Sequence, residues 1–318
     1  MASSSTVSKY SPRIYEEGRS PLQNRSMNHN CYLSKIGKMK EGLGLDVWRK
    51  LKESSLGVFI KLAEVSYTWS PAKVHYILTH QLAVNNSHES ENIDVDHHAF
   101  WREMEIETTS DGPKYTELEN VMDFSKTWSK EKRMMVGRLI LLSVAIHGIH
   151  HGSRIPLPSA KRVFDPNGFE KHPWGRVAFT CLVNSVKIVD LDKDSYTVQG
   201  CVHALLIWLY ESVPGIGKLY GLRRSTRTGI PLLDWQSTQK GIKMNELIED
   251  EYSKHGQVRV KHMVHVSEDH MYPEWSDDEE NKDPALDKLI NDIVHDCLPS
   301  DVWRVDKTVS MGRKKTKS

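Results

Sequence analysis

The run from Phe169 to Gly217, FEKHPWGRVAFTCLVNSVKIVDLDKDSYTVQGCVHALLIWLYESVPGIG, decides the fold class. Pro173 is tolerated at a helix start because its missing N–H has no intrahelical partner there. A helix from Pro173 through Val189 then places Val177, Cys181 and Val186 inward. Tyr196 to Gln199 reads as a short strand. Val202, Leu205, Leu206, Leu209 and Val213 recur at helical spacing until Pro214 stops them. Two helices with a strand-like step between them define a chain that is mainly α (α+β): a helical domain with a small β element.

The pattern continues upstream. Leu45, Trp48 and Leu51 share a helical face in Leu43 to Lys52. Ser70-Pro71 supplies a cap and a first-turn proline, after which Val74, Ile77, Leu78 and Leu82 line one side. Asn85 to Asp96 is polar and reads as a loop. A helix is expected around Thr116 to Trp128, and Lys132 to His147 is apolar on nearly every side from Leu139, the mark of a buried central helix. Ile155 to Pro158 reads as a connector and Asp165-Pro166-Asn167-Gly168 as a turn.

Downstream, Lys218 to Gly229 is basic and glycine-containing, and reads as a loop. Val258 to Val266 alternates apolar and polar residues, as a half-buried strand does. A short helix is expected near Ala285 to Val294. The organisation is a disordered start (1–10), one α-rich domain (11–275), then an acidic linker, short helix and basic tail (276–318).

Composition narrows the function classes. Across 318 residues, 43 Lys+Arg against 42 Asp+Glu leave a formal net charge of +1, so no global field draws the chain to nucleic acid or anionic membrane. The four cysteines are scattered, with no C-x-x-C pair, which fits a reducing compartment better than a disulfide framework. The first residues lack a signal-peptide apolar core. The longest apolar run, Leu139 to Ile146, is far short of the roughly 20 residues a membrane span needs. The expectation is a nuclear or cytoplasmic protein, nucleus first, with no membrane partner.

Several strings resemble one family. They are Glu53-Ser54-Ser55-Leu56-Gly57-Val58-Phe59, Tyr67-Thr68-Trp69-Ser70, Val74-His75-Tyr76-Ile77-Leu78-Thr79, Gly137-Arg138-Leu139, Pro173-Trp174-Gly175-Arg176, Tyr210-Glu211-Ser212-Val213-Pro214 and Met271-Tyr272-Pro273 with Trp275. From about Arg13 to Trp275 the chain resembles the plant-specific domain of unknown function found N-terminal to ubiquitin-like (SUMO-type) cysteine protease domains in mobile-element-derived proteins. One departure is visible. After residue 88 the chain passes directly into Glu91-Asn92-Ile93, without the E-L-W-x-x-x-G-x-x-P-x-R-F-S-L segment that the family carries, a β-hairpin and helix. Its absence is expected to leave the Val258 strand short of a partner, and suggests a shortened copy or a skipped exon.

The chemical candidates are few. The family's proteases need His, Asp, Gln and a Cys nucleophile; the nearest string here, Asp296-Cys297-Leu298, lacks the glycine and the upstream H-W. Cys201 and His203, two apart on a helix, point in different directions, and read as a small buried thiol and a surface or satisfied histidine. His147, His150 and His151 have spacing that metal sites use, although a helix C-terminus favours histidine without a metal. His97-His98 lies in the polar loop and is a poorer candidate. Gly215-Ile216-Gly217-Lys218 looks like a phosphate loop but follows a helix rather than a strand. Trp69, Trp128, Trp174 and Trp208 are expected to pack in the core.

Two basic clusters are candidates for nucleic acid or nuclear import: Arg223, Arg224 and Arg227, and the tail Arg313, Lys314, Lys315 and Lys317. The expectation is therefore a non-catalytic interaction or accessory domain with no cofactor and an unidentified protein partner. It would meet that partner at the Val258 edge or the acidic stretch around Asp277. Alternatives are a nucleic-acid-binding accessory protein, a protease-family fragment inactive by itself, or a degenerate copy.

Overall fold

The computed structural model describes residues 10, 13–16, 19–21, 26–65, 67, 70–79, 94–108, 110–238, 244–261, 284–295 and 297. Helices dominate. In chain order they are α1 (Ser34–Gly37), α2 (Met39–Gly42), α3 (Leu45–Lys52), α4 (Gly57–Glu64), α5 (Pro71–Thr79), α6 (His98–Glu103), α7 (Tyr115–Phe124) and α8 (Lys130–Leu141). There follow α9 (Leu157–Lys161), α10 (Pro166–Lys171), α11 (Trp174–Ile188), α12 (Val202–Ser212), α13 (Pro214–Tyr220), α14 (Pro231–Asp234), α15 (Met244–His255) and α16 (Pro284–Val294). Among the described residues the strands form two pairs. β1 (Ser26–His29) and β2 (Ser195–Val198) run parallel, and β3 (Gly221–Arg223) and β4 (Trp235–Ser237) antiparallel.

The side chains form two apolar clusters, and α11 belongs to both. The first surrounds α8, whose residues from Val136 onward are buried and which continues as a π-turn, Leu142–Ile146. The N–H of His147 reaches the carbonyl of Leu142 (2.9 Å), the five-residue spacing of that turn. Trp174 and Ala178 of α11 pack into this cluster. One turn further, Leu182 and Val186 enter the second, with Tyr196, Val198, Leu206, Tyr210 and Trp235. Burying these faces is the main favourable term, at about 25 cal/mol per Å².

Several expected elements hold and several shift. α5 starts at its Pro71 signal, with Leu82 of its expected face outside the described residues, and α16 lies close to the helix expected at Ala285 to Val294. In α3 the inward residues are Val47, Trp48 and Leu51, while Leu45 lies exposed. Its N-cap Gly44 takes φ 89°. Asp165-Pro166-Asn167-Gly168 is a helix start rather than a turn: the Asp165 carboxylate accepts from the N–H groups of Asn167 and Gly168 (3.1 and 3.0 Å). The Ile155 to Pro158 connector likewise runs into α9 at Leu157. His97-His98 leads into α6, and His97 is buried against Trp101. In α11 the deepest positions are Trp174, Ala178 and Leu182, whereas Val177 and Cys181 are half-buried.

The expected loop from Lys218 to Gly229 instead holds the end of α13 and β3. The expected strand is absent through Lys261. Val260 is 72% exposed, and Arg259 turns back to pair with Glu251 of α15 (2.8 Å). Residues 262–266 and the junction after residue 88 lie outside the described residues. Trp174 and Trp128 pack as expected, but Trp208 on α12 is half exposed; Trp69 is outside the described residues. Tyr10 is buried and donates to the Asp292 carboxylate of α16 (2.5 Å), so this late helix meets the start of the chain.

The link between the clusters includes two glycines. Gly148 (φ 51°) and Gly200 (φ 82°) lie against each other, and the Gly200 N–H donates to the His147 carbonyl (2.9 Å). A Cβ on Gly200 would stand 2.6 Å from the Leu182 backbone nitrogen, and one on Gly148 2.6 Å from the Gly200 carbonyl oxygen. Gly200→Ala adds left-handed strain to a backbone clash, and is expected to cost roughly 3 kcal/mol or more. Gly229 (φ 78°) has open space around it, so Gly229→Ala should cost only the strain, about 1 kcal/mol. Chemical denaturation of both variants measures the difference; equal losses would remove the close contact from the explanation.

Candidate functional site

The histidines of the HGIHHG string do not converge. His147 is buried at the end of the π-turn, whereas His150 and His151 are exposed, their rings 3.9 Å apart. Among the described residues, no three His, Cys, Asp or Glu side chains are grouped to hold a metal. His147 instead meets Cys181 of α11, Nδ1 to Sγ 3.2 Å. Burial lowers the imidazole pKa to about 4 and raises the thiol to about 11. Both partners are neutral at pH 7, the opposite of an activated thiolate–imidazolium pair.

Cys201 and His203 are also separated in role. Cys201 precedes α12 and its buried thiol contacts that of Cys31, a hydrogen bond that together with burial raises the Cys31 pKa. His203 is buried rather than on the surface. Its Nε2 lies 3.3 Å from the Cys31 carbonyl and its ring sits edge-on to Tyr67 at 4.8 Å. Desolvation, with a contribution from His29, lowers its pKa to about 3; burial lowers that of His29 to about 4.

The basic residues serve the second cluster first. Arg223 pairs with Glu211 (2.5 Å) and lies over the Trp235 ring at 4.6 Å. Arg224 donates through Nη2 to the Val65 carbonyl (2.8 Å). Arg227 is exposed, and Arg313, Lys314, Lys315 and Lys317 lie outside the described residues.

The most distinctive concavity follows from these contacts. A cavity of about 240 Å³ is lined by Tyr210, Glu211, Pro214, Lys218, Arg223, Trp235 and Lys261. Its walls are aromatic: the buried Tyr210 and Trp235 rings are 5.4 Å apart. Trp235 Nε1 donates to the same Glu211 oxygen that Arg223 holds (2.6 Å). Glu211 is thus compensated twice. Lys218 and Lys261 are exposed, and among the described residues no carboxylate pairs with either. The Lys261 N–H is fixed by the Ser212 carbonyl (2.7 Å), which anchors this side of the cavity to the end of α12.

Beneath the floor lies Lys73 of α5, fully buried. Its ammonium donates to Tyr210 Oη (3.1 Å), Ser237 Oγ (3.1 Å) and the carbonyls of Tyr220 and Thr238 (both 2.9 Å). Burial lowers its pKa to about 8. The GIGK segment belongs to α13, and Gly217 packs against the Tyr210 carbonyl and Trp235, so it forms no phosphate loop.

A second cavity, about 350 Å³, is largely apolar and lies between α4 and the start of α11. Leu56, Val58 and Phe59 face Pro173, Trp174 and Gly175 across it, so two of the strings singled out in the sequence meet in space.

Fold and site together define a mainly α domain with a small β element. Residues 79–185 match the family described as a domain of unknown function (DUF1985). No curated protein and no solved structure is matched. The matched segment runs from the end of α5 to Ser185 of α11, and so contains the buried α8 but none of the cationic cavity's lining. No helix among the described residues is long and apolar enough to cross a membrane.

Three buried neutral histidines give the fold a pH dependence. His29, His147 and His203 are held at about 4, 4 and 3, against an ordinary value of 6.5. Between about pH 6.5 and 4 the unfolded chain binds more protons than the folded one, so stability is present above this window and falls as pH drops through it. Urea titrations from pH 7 to 4 are expected to show an uptake on unfolding that approaches three protons. An unfolding free energy that stays flat from pH 7 to 4.5 would contradict the assignment.

Proposed function

We propose that this chain is a non-catalytic protein-interaction module that docks an acidic segment of a partner on the Tyr210–Lys218–Trp235–Lys261 cavity. The single observation that carries this reading is the pair of exposed lysines beside a compensated Glu211 and two aromatic walls. Acidic segments would gain from the lysine charges, while the buried rings supply apolar contact. Two further facts support the absence of chemistry of its own. The Cys181–His147 pair is neutral by burial, and the Cys31 thiol faces Cys201 rather than a base.

In this proposal the chain descends from the accessory region that precedes SUMO-type cysteine proteases in plant mobile-element-derived proteins, and works in the nucleus or cytoplasm. A nucleic-acid role is less well supported. A backbone track needs several cations in a row, whereas Arg224 is turned inward to the Val65 carbonyl and Arg223 lies over Trp235 in the cavity lining.

Calorimetric titration of the full chain with an acidic peptide and with single-stranded DNA tests the reading. Peptide binding is expected, and it should be lost in the double variant Lys218→Glu, Lys261→Glu, which replaces two attractive charges by repulsive ones. Peptide binding that survives the double variant would refute it. So would DNA binding that is stronger than peptide binding and falls when Arg227 is neutralised, since that result moves the ligand to the basic residues.

A further inference from the structure

Resting on the reading of the cationic cavity as a protein-docking site, we propose that the group it receives is a phosphorylated side chain of the partner. The charge count points this way. Arg223 and the Trp235 N–H already satisfy Glu211, which leaves Lys218 and Lys261 as two positive charges without a carboxylate among the described residues. A carboxylate supplies one negative charge. A phosphomonoester supplies about 1.5 to 2 near neutral pH, with three acceptor oxygens, which matches two ammonium groups.

Arg223 strengthens the match. Only its Nη2 is bonded to Glu211, and no hydrogen bond is made by its Nε or Nη1 among the described residues. Its plane is held over the Trp235 ring, so the remaining N–H groups are oriented in advance for an oxygen acceptor. Glu211 itself would repel an anion. Its double compensation is what allows a dianion to approach.

Size and shape choose a side chain over a larger ligand. The volume of about 240 Å³ is below the roughly 300–1,000 Å³ of sites that enclose drug-sized molecules. One phosphorylated side chain fits this space, and the Tyr210 and Trp235 rings flank the stem or ring that carries the phosphate. The aromatic walls donate nothing of their own to the opening: the indole N–H is spent on Glu211 and the Tyr210 hydroxyl on Ser237 (2.9 Å). The anion must therefore be met by the three cations.

The experiment is a calorimetric comparison on the full chain with four probes. Three are peptides identical except for a central phosphotyrosine, phosphoserine or glutamate; the fourth is inorganic phosphate. At least one phosphopeptide is expected to bind about tenfold or more tightly than the glutamate peptide, and to weaken as pH falls below about 6, where the phosphate loses its second charge. The better of the two phosphopeptides identifies the stem. Lys218→Ala and Lys261→Ala should each weaken phosphopeptide binding about tenfold and bring it toward the glutamate peptide. Both residues are exposed, so an unchanged thermal midpoint serves as the folding control. Glutamate peptide binding as tight as phosphopeptide binding would overturn the phosphate assignment while leaving the docking site intact. Failure of all three peptides would overturn the docking site with it, as would inorganic phosphate binding without any peptide.

Discussion

Two glycine backbones, Gly200 pressed against α11 and Gly148 against Gly200, join the two apolar clusters. Gly148 follows the π-turn of the first cluster, Gly200 precedes α12 of the second, and Gly200 sits on Leu182. Side chains at these positions would force the segments apart. With none, the His147 carbonyl receives the Gly200 N–H, Cys181 reaches His147, and Cys201 reaches Cys31. These polar contacts fall at the seam between clusters. Burial explains why His147, His203 and the Cys181 thiol are neutral, and why residues with catalytic reputations act as packing.

From that seam α12 carries Tyr210 and Glu211 to the cationic cavity, about three turns away along the helix. The cavity is rigid from below. Lys73 ties α5 to Tyr210, to the end of α13 and to β4, using hydroxyl and carbonyl oxygens rather than a carboxylate. Such a desolvated ammonium costs free energy that its four acceptors and the nearby Tyr210 and Tyr220 rings partly offset. What this cation provides in return is position: it fixes the hydroxyl end of Tyr210, and with it the ring that lines the cavity.

Much of the fold was legible in the sequence because helices announce themselves through local spacing. The α11–β2–α12 run, the start of α5 at Pro71 and the buried α8 all follow from period and punctuation. The errors have physical causes. In α3 Leu45 is the first helical residue and stays exposed, while Val47 joins Trp48 and Leu51 inward. Asp165 caps a helix where the same four residues also suit a turn. The alternation from Val258 was genuine, but Arg259 is drawn to Glu251 and no strand forms through Lys261. Of the two readings of His203, surface or satisfied, the second holds, and no local pattern signals that its partner is the Cys31 carbonyl, far away in the chain. The candidate site was legible only in part. Arg223 stood out as a cation and Glu211 lay within a diagnostic string, yet Lys218, Trp235 and Lys261 join them from α13, β4 and the segment that follows α15. No spacing rule connects those positions.

The central claim is that the glycine seam makes the two apolar clusters one cooperative unit, which holds the cavity in shape. Native-state hydrogen exchange tests it most directly, by comparing the amides of Leu139 to Leu141 in α8 with those of Leu206 to Tyr210 in α12. The same opening free energy for both groups is expected, equal to that of global unfolding. If α12 and its neighbours exchange through a separate, lower-energy opening while α8 stays protected, the two clusters are independent and the claim is wrong.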